Sequence, residues 1–450
     1  MIVKKLIKSK SKSKSRNMTI KRMLEKYYNK ETETITLPAY FNFLLEGLPL
    51  ETKIIIFKDD YTNGIFSRFN QVVDNLPNNL THLTVGYSFN QVIDNLPNNL
   101  THLTVGYCFN QLVNNLPSSL THLTFGYKFN QAVDNLPNNL THLTVGCCFN
   151  QLVNNLPSSL THLTFEWYFN QPVDNLPNNL THLIFGYLFN QPVNNLPNNL
   201  THLTFGKYFN QPINNLPSLH LCDSETNCIC LLNNLTHLIV GDYFDKVVDN
   251  LSNILTRLTF SFYFNQKIDN LPNTLTHLTV GYSFNQKIDN LPSSLTHLTF
   301  GCKFNQLVDN LPNSLTYLSF EYAFNQKVDN LPNTLTYLRF GELSTFNHVV
   351  DTLPNNLTHL IFGCWFNQKV DKLPNSLVHL TFGRFFNQKV YNFPNSLIYL
   401  TFGYYFNQKI DNLPLNIKEI KLEKNDVLIL LNKIPFGCKI LDKYDKEIFI

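Results

Sequence analysis

A column of histidines is the feature of this sequence that is best placed to do chemistry. One histidine follows Leu-Thr in most copies of a recurring phrase, at intervals of 20 residues along long stretches of the chain. Imidazole can transfer a proton, bind a metal, or stack on and hydrogen-bond to a partner. The histidines that we predict to bind a partner are His82, His102, His122, His142, His162, His182, His202, His237, His277 and His297.

Two readings of this histidine column remain open. In one, the rings line a binding stripe on a concave face; in the other, they form a ladder that only stiffens the sheet beneath it. Metal capture is weakly supported, because no carboxylate or thiol accompanies the histidines systematically. Since charging one imidazole disfavours charging its neighbour, we expect the column to titrate below the ordinary pKa of about 6.5, over a broad range.

A second candidate is a cluster of cysteines in an insertion at residues 218–232. His220, Cys222, Cys228 and Cys230 offer one imidazole and three thiols, a ligand set that suits tetrahedral zinc. The spacing matches no standard zinc finger, so a loop with incidental thiols is the alternative. The sequence predicts no other cofactor.

These residues recur because the chain is built from repeats. Phe-Asn-Gln or a close variant occurs seventeen times, and all but two of the intervals are 20 residues. The interval that ends at Phe244 has fifteen extra residues, and the one that ends at Phe346 has two. The seventeen phenylalanines are Phe69, Phe89, Phe109, Phe129, Phe149, Phe169, Phe189, Phe209, Phe244, Phe264, Phe284, Phe304, Phe324, Phe346, Phe366, Phe386 and Phe406.

Each repeat contains one strand and several bends. In the copy that begins at Phe129, Leu143 and Val145 alternate with His142 and Thr144, which predicts a strand over residues 140–145 that ends at Gly146. The apolar positions of this copy are Phe129, Val133, Leu136, Leu140, Leu143 and Val145. A unit of this size cannot bury six apolar side chains alone, so the coils must stack and align their strands in a parallel sheet. We expect little helix, and a buried amide ladder formed by the Asn that follows each Phe.

The repeat resembles a known family. Leu-Thr-His-Leu-Thr-Phe-Gly from Leu200, followed by Phe-Asn-Gln-Pro-Ile from Phe209, is similar to the FNIP repeat, which is typical of amoebae and of giant viruses that infect them. The resemblance implies a β-rich, leucine-rich-repeat-like solenoid. Its 20-residue coils would form a right-handed array with a parallel β-sheet on the concave face.

Some FNIP proteins resemble F-box proteins at their N-termini, which implies a substrate-recognition subunit of a ubiquitin ligase. Here the F-box-like phrase is Leu48-Pro49-Leu50-Glu51 followed by Ile54-Ile55-Ile56-Phe57. About eleven residues separate Phe57 from the first coil, which is too few for the remaining helices of that module. The alternative is a degenerate coil that caps the solenoid.

The chain therefore divides into four predicted parts. Residues 1–17 form a basic, disordered tail, 18–68 an N-terminal cap or degenerate repeat, 69–422 the solenoid, and 423–450 a C-terminal cap. Residues 1–26 carry a net charge of +9, whereas the rest of the chain carries −6. Nucleic-acid binding or nuclear import is therefore expected only through the tail.

The sequence favours a binding protein over an enzyme. It has no phosphate-binding glycine loop, nucleophile elbow or His-Glu-x-x-His motif, and a surface repeated seventeen times differs from a single active site. An apolar run of membrane-spanning length is also missing, and nine sparse cysteines favour a reducing compartment. We expect an intracellular, cytoplasmic scaffold that binds a protein partner of unknown identity.

Overall fold

The computed structural model describes residues 20–213, 220–222, 228–230, 234–424, 428 and 430–448, with backbone alone for 220–222 and 228–230. The chain divides into two compact units. One comprises Met1–Gln211 and Leu216–Asn234, and the other comprises Pro212–Asn215 and Leu235–Ile450. Helix in the described part of the chain is limited to residues 20–26 and a short helical turn at 428 and 430.

The first unit is a ladder of short parallel strands. From β2 to β10 each strand pairs in parallel with the strand of the next coil, and β1 pairs antiparallel with β2. A separate antiparallel hairpin is formed by β11 and β12. The strands are β1 Tyr28–Asn29, β2 Thr34–Leu37, β3 Ile54–Phe57, β4 His82–Thr84, β5 His102–Thr104, β6 His122–Thr124, β7 His142–Val145, β8 His162–Phe165, β9 His182–Ile184, β10 His202–Thr204, β11 His220–Cys222 and β12 Cys228–Cys230.

The second unit repeats the same ladder. Its strands pair in parallel from β13 to β23, so the ladder runs through the last repeat into the C-terminal segment. The strands are β13 His237–Ile239, β14 Arg257–Thr259, β15 His277–Thr279, β16 His297–Thr299, β17 Tyr317–Phe320, β18 Tyr337–Phe340, β19 His359–Ile361, β20 His379–Thr381, β21 Tyr399–Phe402, β22 Glu419–Leu422 and β23 Lys439–Leu441.

The apolar columns predicted from the repeat form the core. Phe129, Val133, Leu136, Leu140, Leu143 and Val145 are all buried, and the corresponding residues of the other described coils are buried with few exceptions. The ring centroids of Phe109 and Phe129 lie 6.1 Å apart. Phe125, at the end of a strand, stacks on Phe129 at 3.6 Å. The predicted β-solenoid with a parallel sheet is confirmed.

The strands are shorter than the sequence pattern suggested. In the coil of Phe129 the strand is His142–Val145, whereas the alternation predicted residues 140–145. Leu140 lies in a turn, where its N–H donates to the Pro137 carbonyl at 3.1 Å. The alternation of buried and half-buried residues is therefore confined to the strand, and Leu140 is buried from the turn that precedes it.

The asparagine ladder exists, but its predicted burial is wrong. The Asn90 N–H donates to Oδ1 of Asn70 at 2.8 Å, and Asn110 bonds to Asn90 in the same way. These asparagine side chains are half-buried or exposed. Each one follows a phenylalanine that points into the core, so its own side chain turns towards the surface and bridges coils there.

The ladder of parallel strands begins before the first of the seventeen repeats. Residues 54–57, the strand in the F-box-like phrase, pair in parallel with residues of β2 and β4. Phe41 is buried, and Asn42 accepts a hydrogen bond from the Asn70 N–H at 3.0 Å. The dipeptide Phe41-Asn42 thus occupies the Phe-Asn position of an additional coil, which its spacing of 28 residues from Phe69 concealed.

Candidate functional site

The strands place the histidine column on the outward face of the sheet. His82 lies opposite His102 in the register, His102 opposite His122, and the pairing continues to His202. Adjacent ring centroids in this series are 4.1 to 4.3 Å apart, and the ring planes differ by 9° to 14°. The predicted close neighbourhood of the rings is confirmed, and the rings form a continuous face-to-face stack.

From His82 to His202 a threonine fixes the orientation of each ring. Oγ1 of Thr121 lies 2.9 Å from Nδ1 of His122, and Oγ1 of Thr141 lies 2.9 Å from Nδ1 of His142. The same hydroxyls also contact the preceding coil, since Oγ1 of Thr141 lies 3.0 Å from the Thr121 carbonyl oxygen. Each imidazole is therefore held by a side chain that is itself tied to the backbone of the neighbouring coil.

Burial and crowding lower the pKa of several imidazoles of the column. The pKa of His142 is lowered to about 4, first by burial of the ring and then by repulsion from the neighbouring histidines. Burial is also the largest cause of the lowered pKa of the other shifted rings, whereas the sequence argument considered only the repulsion. These rings are His102, His162, His277, His297, His359 and His379.

In the second unit the column contains other residue types. His237 lies opposite Arg257, which lies opposite His277. His277 and His297 stack at 4.2 Å. Tyr317, Tyr337, His359, His379 and Tyr399 continue the stack, with centroids 4.2 to 5.5 Å apart. A flat ring is thus common to most positions, whereas the imidazole is concentrated in the first unit.

A second column of rings was missed by the sequence analysis. Tyr87, Tyr107 and Tyr127 follow the glycine at the end of each strand and stack at 4.5 and 4.6 Å. Trp167 occupies the same position two coils after Tyr127 and is half exposed. The recurring Gly-Tyr dipeptide was the available signal, but Cys147 and Lys207 interrupt it and hide its regularity.

A cavity of about 460 Å³ opens where this second column is broken in the second unit. Glu342, Cys364 and Arg384 occupy the positions between Tyr322 and Tyr404, and all but Tyr322 line the cavity. The Arg384 guanidinium lies 5.6 Å from the Tyr404 ring centroid. The cavity is therefore bordered by charges of both signs beside the strand face.

The side chains of His220, Cys222, Cys228 and Cys230 lie outside the described residues. The backbone register places His220 opposite Cys230 and Cys222 opposite Cys228. The zinc hypothesis thus stays a prediction. Among the residues whose side chains are described, no group of three or more His, Cys, Asp or Glu is arranged to hold a metal ion.

The basic tail, residues 1–17, also lies outside the described residues. Within the part of the chain that is described, helices are all too short or too polar to cross a membrane.

Comparison with known proteins identifies the repeat. Matches to the FNIP Repeat family cover residues 69–108, 92–128, 109–148, 129–166, 149–188, 169–195, 189–220, 264–303, 304–343, 346–385 and 386–425. Among curated proteins, none matches the chain.

Two solved structures are similar to the chain to different degrees. One is CroV588, described as a novel circular leucine-rich-repeat protein, with 36% sequence identity and a TM-score of 0.50 over 91% of this chain and 85% of that chain. Another is YopM from Yersinia enterocolitica, with 18% identity and a TM-score of 0.46 over 93% of each chain. The family matches cover well over half of the sequence, and the chain therefore belongs to the FNIP repeat family.

Proposed function

We propose that this protein is a non-enzymatic scaffold that binds a protein partner along the outward face of its strands, on the histidine column from His82 to His202. Leucine-rich-repeat-like solenoids are commonly used for protein interaction, and that general role is the starting point. The finer assignment to this face rests on the ring stack.

The observation that carries the proposal is the preorganised stack of half-buried rings. Because these side chains are already ordered, they lose little further conformational entropy when a partner buries them. The threonine contacts hold each imidazole in one orientation before any partner arrives. Aromatic rings with a polar edge are also well suited to interfaces, because they offer both contact area and hydrogen bonds.

The test is capture of a partner by the purified full chain from extracts of cells that contain it. A paired variant, His122→Lys with His142→Lys, places two positive charges in the stack and should abolish the capture. The matched control is Asn138→Ala, since Asn138 is exposed in the turn that leads to the strand.

Loss of the partner from the histidine variant, with retention by the control, is the expected result. Equal capture by all three chains would place the binding surface elsewhere. Circular dichroism of both variants checks that they retain the β-rich fold.

A further inference from the structure

The hydrogen bonds of the histidine column define which ring nitrogen of each neutral imidazole carries the proton. A threonine hydroxyl has a single proton to donate and can also accept. Oγ1 of Thr121 lies 3.1 Å from the Thr101 carbonyl oxygen, which can only accept, and 2.9 Å from Nδ1 of His122. Both contacts are hydrogen bonds only if the hydroxyl donates to the carbonyl and Nδ1 carries a proton that it donates to the hydroxyl.

The same pair of contacts recurs along the first unit. Oγ1 of Thr81, Thr101, Thr141 and Thr161 each lie 3.0 or 3.1 Å from a carbonyl oxygen of the preceding coil. Each also lies 2.8 or 2.9 Å from Nδ1 of the following histidine. The neutral rings therefore share one tautomer, with a proton on Nδ1 and a lone pair on Nε2.

These lone pairs face solvent. Nε2 of His102, His122 and His142 makes no hydrogen bond within the described residues, and none of these atoms is a buried polar atom that lacks a partner. The ring stack therefore exposes a row of acceptors at a spacing near that of the ring centroids, 4.1 Å.

The net charge of residues 69–211 favours a cationic partner over an anionic one. Residues 69–211 contain two basic side chains, Lys128 and Lys207, and a net charge of −3. The strand positions on either side of the column in this range are threonines, with one isoleucine, so no charged group of the strands competes for a ligand. The acidic residues of this range are Asp74, Asp94, Asp134, Glu166 and Asp174.

We propose that the row of Nε2 acceptors on His82, His102, His122, His142 and His162 binds a basic protein segment, whose lysine and arginine side chains supply the hydrogen-bond donors. This inference rests on the proposed function and names the chemistry of its partner. A neutral imidazole accepts from an ammonium group through Nε2, and the stack offers several such acceptors in line.

The first test reads the tautomer by long-range ¹H–¹⁵N NMR on the full chain labelled with ¹⁵N-histidine, at a pH where the rings are neutral. We expect protonated Nδ1 and unprotonated Nε2 for His122 and His142, assigned by the signals lost in His122→Phe and His142→Phe. Protonated Nε2 at these rings would overturn the proposal.

The chain contains a natural contrast for this measurement. Val378 precedes His379 where the other histidines of the column follow a threonine, and Nδ1 of His379 is buried without a hydrogen-bond partner in the described part of the chain. Thr141→Val copies this arrangement and should move the proton of His142 towards Nε2. Because the first measurement uses the wild-type chain, it stands even if the valine variant fails to fold.

The second test measures binding of an oligolysine peptide by the wild-type chain. A peptide of trimethyllysine keeps the positive charge but has no side-chain N–H donor. We expect it to bind at least about tenfold more weakly, since several hydrogen bonds to charged donors are lost. The variant His122→Phe with His142→Phe keeps the rings and removes two acceptors, so it should also bind oligolysine more weakly, whereas Asn138→Ala should bind it unchanged.

Equal binding of the two peptides, or preference for oligoglutamate or single-stranded RNA, would overturn the proposal. These results would leave the proposed function intact if the natural partner is still lost with the His122→Lys and His142→Lys variant. Conversely, capture unaffected by that variant would remove the proposed function whatever the tautomer is.

Discussion

Each asparagine that follows a core phenylalanine links its coil to the next through one oxygen. Oδ1 of Asn130 accepts from the Asn150 N–H at 2.9 Å and from Nε2 of Gln151 at 3.1 Å. Where Asp245 replaces the asparagine, its Oδ1 accepts from the Asn265 N–H and from Nε2 of Gln266, both at 3.0 Å. The acceptor oxygen, rather than the amide group, is thus what this position requires.

We therefore expect Asn130→Asp to be tolerated and Asn130→Leu to be costly. Leucine leaves the Asn150 N–H without its acceptor, which costs about 1–3 kcal/mol if water cannot replace it. Hydrogen exchange of the Asn150 amide is the suitable measurement, because long repeat arrays do not unfold in a single cooperative step. Equal protection in the two variants would contradict this account of the ladder.

At the scale of the element, the end of each strand is a point of close approach between coils. A Cβ atom on Gly126 would lie 2.1 Å from the Gly106 carbonyl oxygen, and one on Gly106 would lie 2.1 Å from that of Gly86. The obstacle is backbone, so it cannot rotate away as a side chain would. Packing between coils therefore favours glycine at Gly106 and Gly126, whereas Glu166, Ser261 and Glu321 occupy the same position in other coils.

We expect Gly126→Ala to loosen the contact between its coil and the preceding one. Overpacking of this kind costs about 1–3 kcal/mol. This loss of stability should appear as faster hydrogen exchange of the backbone amides in β5 and β6. Asn138→Ala, at an exposed turn position, is the control and should change stability by less than about 0.5 kcal/mol. Unchanged exchange in the glycine variant would show that the coils can separate without strain.

At the scale of the whole molecule, the histidine column makes stability depend on pH. A histidine whose pKa is lowered in the folded state binds fewer protons there than in the unfolded state. The free energy of unfolding then falls as the pH drops below the unfolded pKa of about 6.5, and the fall continues towards the folded pKa. For His142 that lower limit is about 4.

We accordingly expect the denaturant midpoint to be lower at about pH 5 than at about pH 7.5, a window above the ordinary range of most carboxyl groups. Replacing His102, His142 and His162 with phenylalanine keeps stacked rings but removes three groups with lowered pKa values. The variant should lose part of the pH dependence. A wild-type midpoint that is unchanged or higher at the acidic pH would contradict the lowered pKa values.

Much of the fold could be predicted from the sequence because the repeat contains its own stacking information. The apolar columns, the parallel register and the closeness of the histidines follow from one spacing, as Phe129, Leu143 and His142 illustrate. The threonine contact to Nδ1 could not be predicted, because it depends on the rotamers of two adjacent side chains. The tyrosine column was missed because Cys147 and Trp167 vary its chemistry.

The in-register ladder makes the length of the array adjustable. Removal of residues 109–128 would bring Phe129 next to Phe89 and Asn130 next to Asn90. The Asn130 N–H, which now donates to Oδ1 of Asn110, could then donate to Oδ1 of Asn90, which now accepts from the Asn110 N–H. Duplication of the same segment would likewise add a coil whose neighbours already fit it. Copy number in steps of 20 residues can therefore change with no new interface, so that variants with fewer or more coils should assemble from the same contacts.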